Sequence, residues 1–384
     1  MNLFELEHHR AFRAQVREFA ENEIRPLAPE LDANETFSVE LTRKMGQAGF
    51  MGIDIPQEYG GQGRDTLSYI IAVEEIARVD GSQAATLAAH NSLGVAPIYL
   101  FGSEAQRKAY LPALCSWEGL WAFGLTEEMA GSDARGVQTT ATLDEGCWMV
   151  NGQKRYITNG SNALLKGITA LAMTGEKNGK AEYSTILVDR HLEGFATERM
   201  LGKMMWRASD TARIQFKGVK VPQGALLGAR GKGLSHMLQT LDGGRLSIAA
   251  MGLGLAIGAF EAATAYAQRR SQFGQAIAQN QAIQFKLAEM ATKIELARNT
   301  LYHTCMLKDK KLPFGKQAAI SKLYCSEIAK EIADQAIQIY GGAGLFQNSP
   351  VERFYRDQRL LQIGEGTSEI LHLVIARQLM DEQN

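Results

Sequence analysis

The chain has 384 residues, enough for two or three domains, and a formal charge of −1 that gives nucleic acid or an anionic membrane surface nothing to hold. Its four cysteines, Cys115, Cys147, Cys305 and Cys325, show no C-x-x-C spacing, which argues against a zinc knuckle or a disulfide frame and suits a reducing compartment. No run of residues approaches the roughly 20 apolar positions of a membrane span, and Met1 to Glu5 turns polar at once, so neither a span nor a secretory leader is expected and a cytoplasmic location is.

Residues 1–118 read as an N-terminal α-helical domain. Phe12, Val16, Phe19 and Ile24 recur near helical spacing, Pro56 to Gly63 is a loop of turn residues, and Asp65 stands as the cap of a helix running from Thr66 to Ala77. From 119 to 228 the period changes to that of a β-barrel or sandwich domain. Cys147 to Val150 and Gln153 to Ile157 flank Asn151-Gly152, a pair that predicts a tight hairpin. Ile186 to Val188 and the alternating Ile214, Phe216, Val219 and Val221 supply further strands, the last ended by Pro222. Residues 229–384 return to helix. Ile283, Leu287, Met290, Ile294, Ala297 and Leu301 form one apolar stripe, and Ile320, Tyr324, Ile328, Ile332 and Ala336 another. Long helices with short joints predict an antiparallel four-helix bundle. The fold class is therefore multi-domain α+β.

Several familiar signals fail. Gly252-Leu253-Gly254-Leu255-Ala256-Ile257-Gly258 has its third glycine one residue late for a dinucleotide fingerprint and no strand before it, so it reads as a helix face of small residues for close packing. Gly228 to Lys232 is too short for a phosphate-binding Walker loop. The seven histidines, the pair His8-His9 included, lack metal-ligand spacing, so no metal is expected.

The most informative stretch is Gln362-Ile363-Gly364-Glu365-Gly366-Thr367-Ser368-Glu369-Ile370. Glycines on both sides let backbone approach a ligand, while Thr367 or Ser368 can cap a helix that buries Ile370, Val374 and Ile375. The pattern aims one carboxylate at a bound molecule. Five more segments carry unusual content. Phe123-Gly124-Leu125-Thr126 leads into a turn with free backbone N–H groups and the hydroxyls of Thr126 and Ser132. Tyr156 and Thr158 offer an aromatic plane and a hydroxyl on one side of a strand. Asp242-Gly243-Gly244-Arg245 puts two glycines inside a helix at about 1 kcal/mol each, a cost that close approach by a ligand would explain. Arg269-Arg270-Ser271-Gln272-Phe273-Gly274 reads as a helix end, and Gln338 to Gly344 as a glycine cluster closing another.

In that order along the chain, these segments resemble the acyl-CoA dehydrogenase family of flavoproteins, over nearly its whole length. The resemblance implies FAD as cofactor, held by residues matching Phe123, Leu125, Thr126, Ser132, Tyr156, Thr158, Arg270, Gln272, Phe273, Gln281, Gln338, Gly341, Gly342, Thr367 and Glu369. It implies acyl-CoA contacts at Ser132, Asp242, Arg245, Gly366 and Arg377, and makes Glu365 the catalytic base, since Gly244 occupies the position where some branches place that acid. The arginine matching Arg270 reaches, in the family, cofactor bound mainly by another subunit, so a homotetramer is implied, with an electron-transfer flavoprotein as acceptor. The family favours Trp where Tyr156 stands and often Tyr where Gly364 stands. The second departure points to a branched, cyclic or bulky acyl group, unless Met129, Met205 or another side chain fills the gap. An acyl-CoA oxidase, an enoyl-CoA reductase and a non-catalytic flavin-binding homologue stay open as alternatives.

Overall fold

The computed structural model describes residues 4–382; Met1 to Leu3, part of the segment read as free of a leader, lie outside them. Seven helices come first: α1 (Glu7–Phe19), α2 (Ala28–Ala33), α3 (Val39–Gln47), α4 (Thr66–Ala77), α5 (Gly81–Ala89), α6 (Ala96–Phe101) and α7 (Glu104–Leu114). Local chemistry sets their starts. Ser38 Oγ accepts the Leu41 N–H at 3.1 Å, and Asp65 Oδ1 accepts the Ser68 N–H at 2.8 Å, the cap expected for α4. Between α5 and α6 the chain passes through a π-helical turn, His90–Val95, a wide turn of the kind found near functional sites.

The middle of the chain forms one mixed sheet. Its strands are β1 (Leu120–Gly124), β2 (Thr140–Asp144), β3 (Cys147–Thr158), β4 (Leu165–Lys177), β5 (Lys180–Asp189), β6 (Phe195–Arg199), β7 (Thr211–Pro222) and β8 (Leu226–Leu227), in the order β6-β7-β3-β2-β4-β5-β8, with β1 parallel to β4. The expected hairpin at Asn151-Gly152 is corrected here. β3 runs straight through that pair, which forms a bulge against β7: Gly152 has φ +140°, a Cβ there would lie 2.7 Å from Thr139 Cα, and Asn151 Oδ1 accepts the Gly218 N–H. The tight turn falls earlier, between β2 and β3, where Glu145 and Gly146 take φ +45° and +78°.

The chain then forms α8 (Gly233–Arg269), a short hairpin of β9 (Ser271–Gln272) and β10 (Gln275–Ala276), α9 (Gln281–Asp309), α10 (Gly315–Tyr340), α11 (Pro350–Asp357) and α12 (Ser368–Asp381). Helices α8, α9, α10 and α12 make the bundle, with α8 and α10 the most extensive pair. Small residues on α8 allow close approach: a Cβ on Gly252 would sit 2.7 Å from Cys325 O of α10, and one on Gly258 would sit 2.6 Å from Phe354 Cζ of α11. By length and composition α8 could cross a membrane, which corrects the expectation that no run comes close. Leu246 through Ala259 are all buried inside the protein, so here that apolarity serves packing.

The two helical regions share a core. Val16, Leu41, Met45, Ile70 and Val73 pack in one cluster with Leu246, Met251, Leu253, Leu301 and Ile328, and every residue of α4 is buried. Trp121, Trp148, Ile168, Ile214 and Phe216 of the sheet form a second cluster with Val95, Ile98 and Leu111. Of the two predicted stripes, Ile328, Ile332 and Ala336 are buried but Ile320 is exposed.

Candidate active site

Glu365 lies in the turn between α11's trailing 3₁₀ segment, Gln358–Gln362, and α12. Its backbone is left-handed at φ +53°, followed by Gly366 at +103°, and Thr367 Oγ1 closes the turn by accepting the Ile370 N–H at 3.3 Å. A left-handed glutamate is costly and persists only where its surroundings dictate it. The residue is partly open, yet its Oε2 is buried and has no hydrogen-bond partner. That oxygen points at Gly244 in α8, where an added Cβ would overlap it and lie 3.1 Å from Leu93 Cδ2. The compensation sought for the helical glycine is thus the acid itself. Gly243 faces open space.

Burial pushes the Glu365 carboxyl up to about 7, against the pull of the Lys322 ammonium and the Arg245 guanidinium. Lys322, from α10, is pushed down to about 8 by its own burial, with Glu365 opposing, and its Nζ donates to Gly366 O at 2.7 Å. Arg245 is buried and pairs with Asp242 one helical turn away; burial raises the Asp242 carboxyl against that pairing. Nearby hydroxyls are engaged with one another and with backbone. Ser92 Oγ lies 3.2 Å from Ser247 Oγ, Ser247 Oγ donates to Gly244 O at 2.7 Å, and Tyr69 OH donates to Ala88 O at 3.0 Å. Sequence patterning singled out none of Leu93, Tyr69, Ser92, Ser247 and Lys322. Their spacing carries only a helical core signal.

The turn His90–Val95 that brings Leu93 beside Glu365 also packs on β1. His90 Nδ1 accepts the Trp121 N–H at 3.2 Å while Nε2 donates to Leu114 O at 2.7 Å, and burial holds the imidazole down near 4, so it stays neutral. Near the end of β1 stands Phe123, and Leu125 and Thr126 follow the strand, all three partly open. Beneath that loop Lys154 Nζ donates to Glu127 Oε1 at 2.7 Å, a pair with side chains 0% and 6% exposed, and Glu127 also accepts the N–H groups of Gln138 and Thr139. Ser132 is exposed beyond it.

Tyr156 occupies a slip in register between Lys154 and Ile157, at φ +60°, a detail that simple alternation along β3 does not contain. Its ring is 59% exposed; Ile157 is buried and Thr158 partly open, so ring and hydroxyl still face outward together. An exposed aromatic plane on strained backbone beside a hydroxyl and a loop of free edges fits a planar, hydrogen-bonding ring such as flavin.

Two other sets lie elsewhere on the bundle. Phe273 and Gly274, expected to end a helix, are instead the turn of the β9–β10 hairpin, with φ +54° and +80°; α8 already ends at Arg269. Phe273 is 100% exposed, and Arg270, Gln272 and Gln281 are exposed around it, on a corner that contacts α8 and α9. At the end of α10, Gln338, Gly341 and Gly342 are exposed, and nothing lies within 4 Å of a Cβ built on either glycine. On α12, Glu369 and Arg377 are exposed and Leu371 alone is fully buried, where Ile370, Val374 and Ile375 were expected. Beside Gly364 stands Leu360, 3.4 Å from where a Cβ would be; Met129, expected as a filler, is largely exposed. His8, His9 and Asp65 do converge, but His9 Nδ1 accepts the Leu6 N–H, its Nε2 donates to Asp65 Oδ2 at 2.8 Å, and Asp65 caps α4. The cluster is accounted for by those bonds.

Comparison with known proteins adds three matches to family models: the acyl-CoA dehydrogenase N-terminal domain over residues 6–118, the middle domain over 122–219 and the C-terminal domain over 231–380. A probable acyl-CoA dehydrogenase, YngJ, of Bacillus subtilis is 47% identical over 369 residues, 96% of this chain and 97% of its own. Two solved structures superpose with a TM-score of 0.95. One, described as the electron transferring flavoprotein of Acidaminococcus fermentans, is 41% identical and covers 99% of both chains. The other, butyryl-CoA dehydrogenase from Megasphaera elsdenii, is 37% identical and covers 99% of this chain and 100% of that one.

Proposed function

The chain belongs to the acyl-CoA dehydrogenase family, and from that premise we propose that Glu365 is the base that removes the α-proton of the acyl thioester. The reaction is FAD-dependent dehydrogenation of an acyl-CoA. One observation carries the assignment of Glu365: a buried carboxylate oxygen without a partner, facing a glycine in a helix. Such an oxygen has a lone pair free for a substrate proton.

The protein's part in the reaction follows from that position. Near neutral pH a carboxyl titrating at about 7 is substantially ionised yet basic enough to accept a carbon-bound proton. Lys322 and Arg245 keep it from rising further. A positioned base contributes on the order of 10²–10⁴-fold, so the enolate oxygen also needs donors, and the Glu365 N–H, presented by a left-handed residue, is suited to that role. Bound FAD supplies the acceptor for the β-hydrogen as hydride. Phe123, Leu125, Thr126, Ser132, Tyr156 and Thr158 would hold it from this chain. Arg270, Gln272, Phe273 and Gln281, on their exposed corner, suit a second copy's cofactor, which supports a homotetramer.

The acyl group is read as short and branched, cyclic or otherwise bulky. Similarity to a butyryl-CoA dehydrogenase supports the short chain, and Gly364 leaves beside the acid a position whose nearest neighbour is Leu360, in ordinary van der Waals contact. An electron-transfer flavoprotein is the acceptor in this reading, supported by the similarity to the Acidaminococcus structure. Four free thiols suit a reducing cytoplasm. Anaerobic bleaching of the flavin by butyryl-, isobutyryl- and cyclic acyl-CoA tests reaction and substrate together, with the branched and cyclic thioesters expected to bleach fastest. Glu365→Gln should bind FAD and acyl-CoA yet lose turnover; retained turnover refutes the assignment.

A further inference from the structure

Resting on the reading of Glu365 as the base, we infer that Lys322 is a positioning residue for it: the buried ammonium ties down the carbonyl next to the acid and presents the carboxylate with a positive charge. Helix α10 places Lys322, Ser326 and Glu327 on one face, and together they grip the segment 361–368 on both sides of Glu365. Lys322 Nζ donates to Gly366 O at 2.7 Å, and Ser326 Oγ donates to Leu361 O at 3.0 Å. Glu327 accepts from Ser368 Oγ at 2.7 Å and from Gln362 Nε2 at 2.6 Å. This grip explains how a non-glycine residue is kept at φ +53°, since strained backbone needs over-determined surroundings.

Hydrogen bonding to one carbonyl does not account for a lysine at that depth. An ammonium has three donors and a charge, and burying it is costly without anions nearby. The charges facing it come from four elements, its own helix included. Glu365 lies in the gripped turn, Glu369 on α12 and Glu327 on α10 itself, while Arg245 on α8 opposes them. Glu365 in turn faces Lys322 and Arg245, with the neutral phenol of Tyr69 on α4 close enough to feel it. Both cations pull the Glu365 carboxyl down, Lys322 more strongly than Arg245, which also pairs with Asp242. Each charge stabilises the other, so losing one shifts the ionisation of its partner.

Two variants separate charge from grip. Lys322→Gln keeps a donor and removes the charge; Ser326→Ala loosens the same turn and leaves the charge. Both are measured as kcat and KM across the neutral pH range on the FAD-loaded enzyme with whichever thioester the wild type turns over. The expected result for Lys322→Gln is an acid limb of kcat/KM displaced upward by about one pH unit, so that about fivefold is lost at neutral pH, approaching about tenfold in acid, and recovered in alkali. For Ser326→Ala kcat should fall at every pH with the limb in place. An unmoved limb in Lys322→Gln, or equal movement in both variants, overturns the inference. Should Lys322→Gln fail to fold, Glu365→Gln offers the reciprocal measurement: by nitrogen NMR of the lysine ammonium, Lys322 should lose its proton at lower pH than in wild type, and no change overturns the inference. A wild-type enzyme inert toward every thioester would instead defeat the functional reading itself.

Discussion

Gly244→Ala sets stability against activity. Inside a long helix, alanine is favoured over glycine by about 1 kcal/mol, and α8 is helical throughout this region. The new methyl would lie 3.1 Å from Leu93 Cδ2, a side-chain end that can give by a few tenths of an ångström. Its overlap with Glu365 Oε2, also a side-chain end, costs little stability but is relieved by moving the carboxylate itself. The carboxylate has to retreat by roughly 1 Å, and a misplacement of that size costs about 10²-fold in rate, equivalent to roughly 2.7 kcal/mol of barrier. The expected variant therefore melts at or slightly above the wild-type temperature while kcat/KM for butyryl-CoA falls about 10²-fold, as read by dye reduction on FAD-loaded protein. A folded variant with wild-type turnover would show that Glu365 does not work from the place where it is seen. Loss of activity together with loss of stability would refute the helix half of the reasoning.

Three further outcomes follow from the same physics. Because Glu365 must be ionised to act and titrates at about 7, kcat/KM should climb with pH through that value and level off above it, in a full pH–rate profile. Asp357, buried, close to Asp80 and accepting the Trp206 N–H at 2.7 Å, is pushed up to about 7. Its folded form is the better proton binder, so its contribution to stability is complete below the ordinary carboxylate range and lost as pH rises through about 7. Asp357→Asn should hence lose less melting temperature than wild type between mildly acidic and mildly alkaline buffer, and an identical loss would count against the burial argument. Lys154→Met strands Glu127 without its cation, at a cost of about 3–5 kcal/mol, and should weaken FAD binding by freeing the Leu125–Thr126 loop. Thermal unfolding and flavin fluorescence titration check the two parts.

What could be read from the sequence was what is settled locally or by period. Asp65 and Thr367 cap their helices because a side-chain oxygen needs only the next turn's N–H, and that is visible in four residues. Asn151-Gly152 misled because the same conformational freedom serves a turn or a bulge, and Thr139 across the sheet decides which. Glu145-Gly146, the actual turn, begins with a residue that seldom adopts positive φ, so its composition gave no cue. Phe273-Gly274 was assigned to a helix end for a related reason: a left-handed pair closes helices and hairpins alike. Around Glu365 the acid and its glycines stood out, but Lys322 and Leu93 come to its surroundings from other segments at separations no periodic pattern encodes.

The core shared by the first and last helical regions has an effect on how the molecule is made. Helix α4 has no face turned to water, and much of its wall is α8. During translation the wall emerges roughly 170 residues after the helix it must cover, which at about 5–20 residues per second leaves that apolar face open for something like 10–30 s. Over that interval α1 and α5 can cover other faces of α4, but the side that α8 will close stays sticky. Ribosome-associated chaperones should therefore bind the chain most strongly before Gly233 has left the exit tunnel and release it once α8 has folded back.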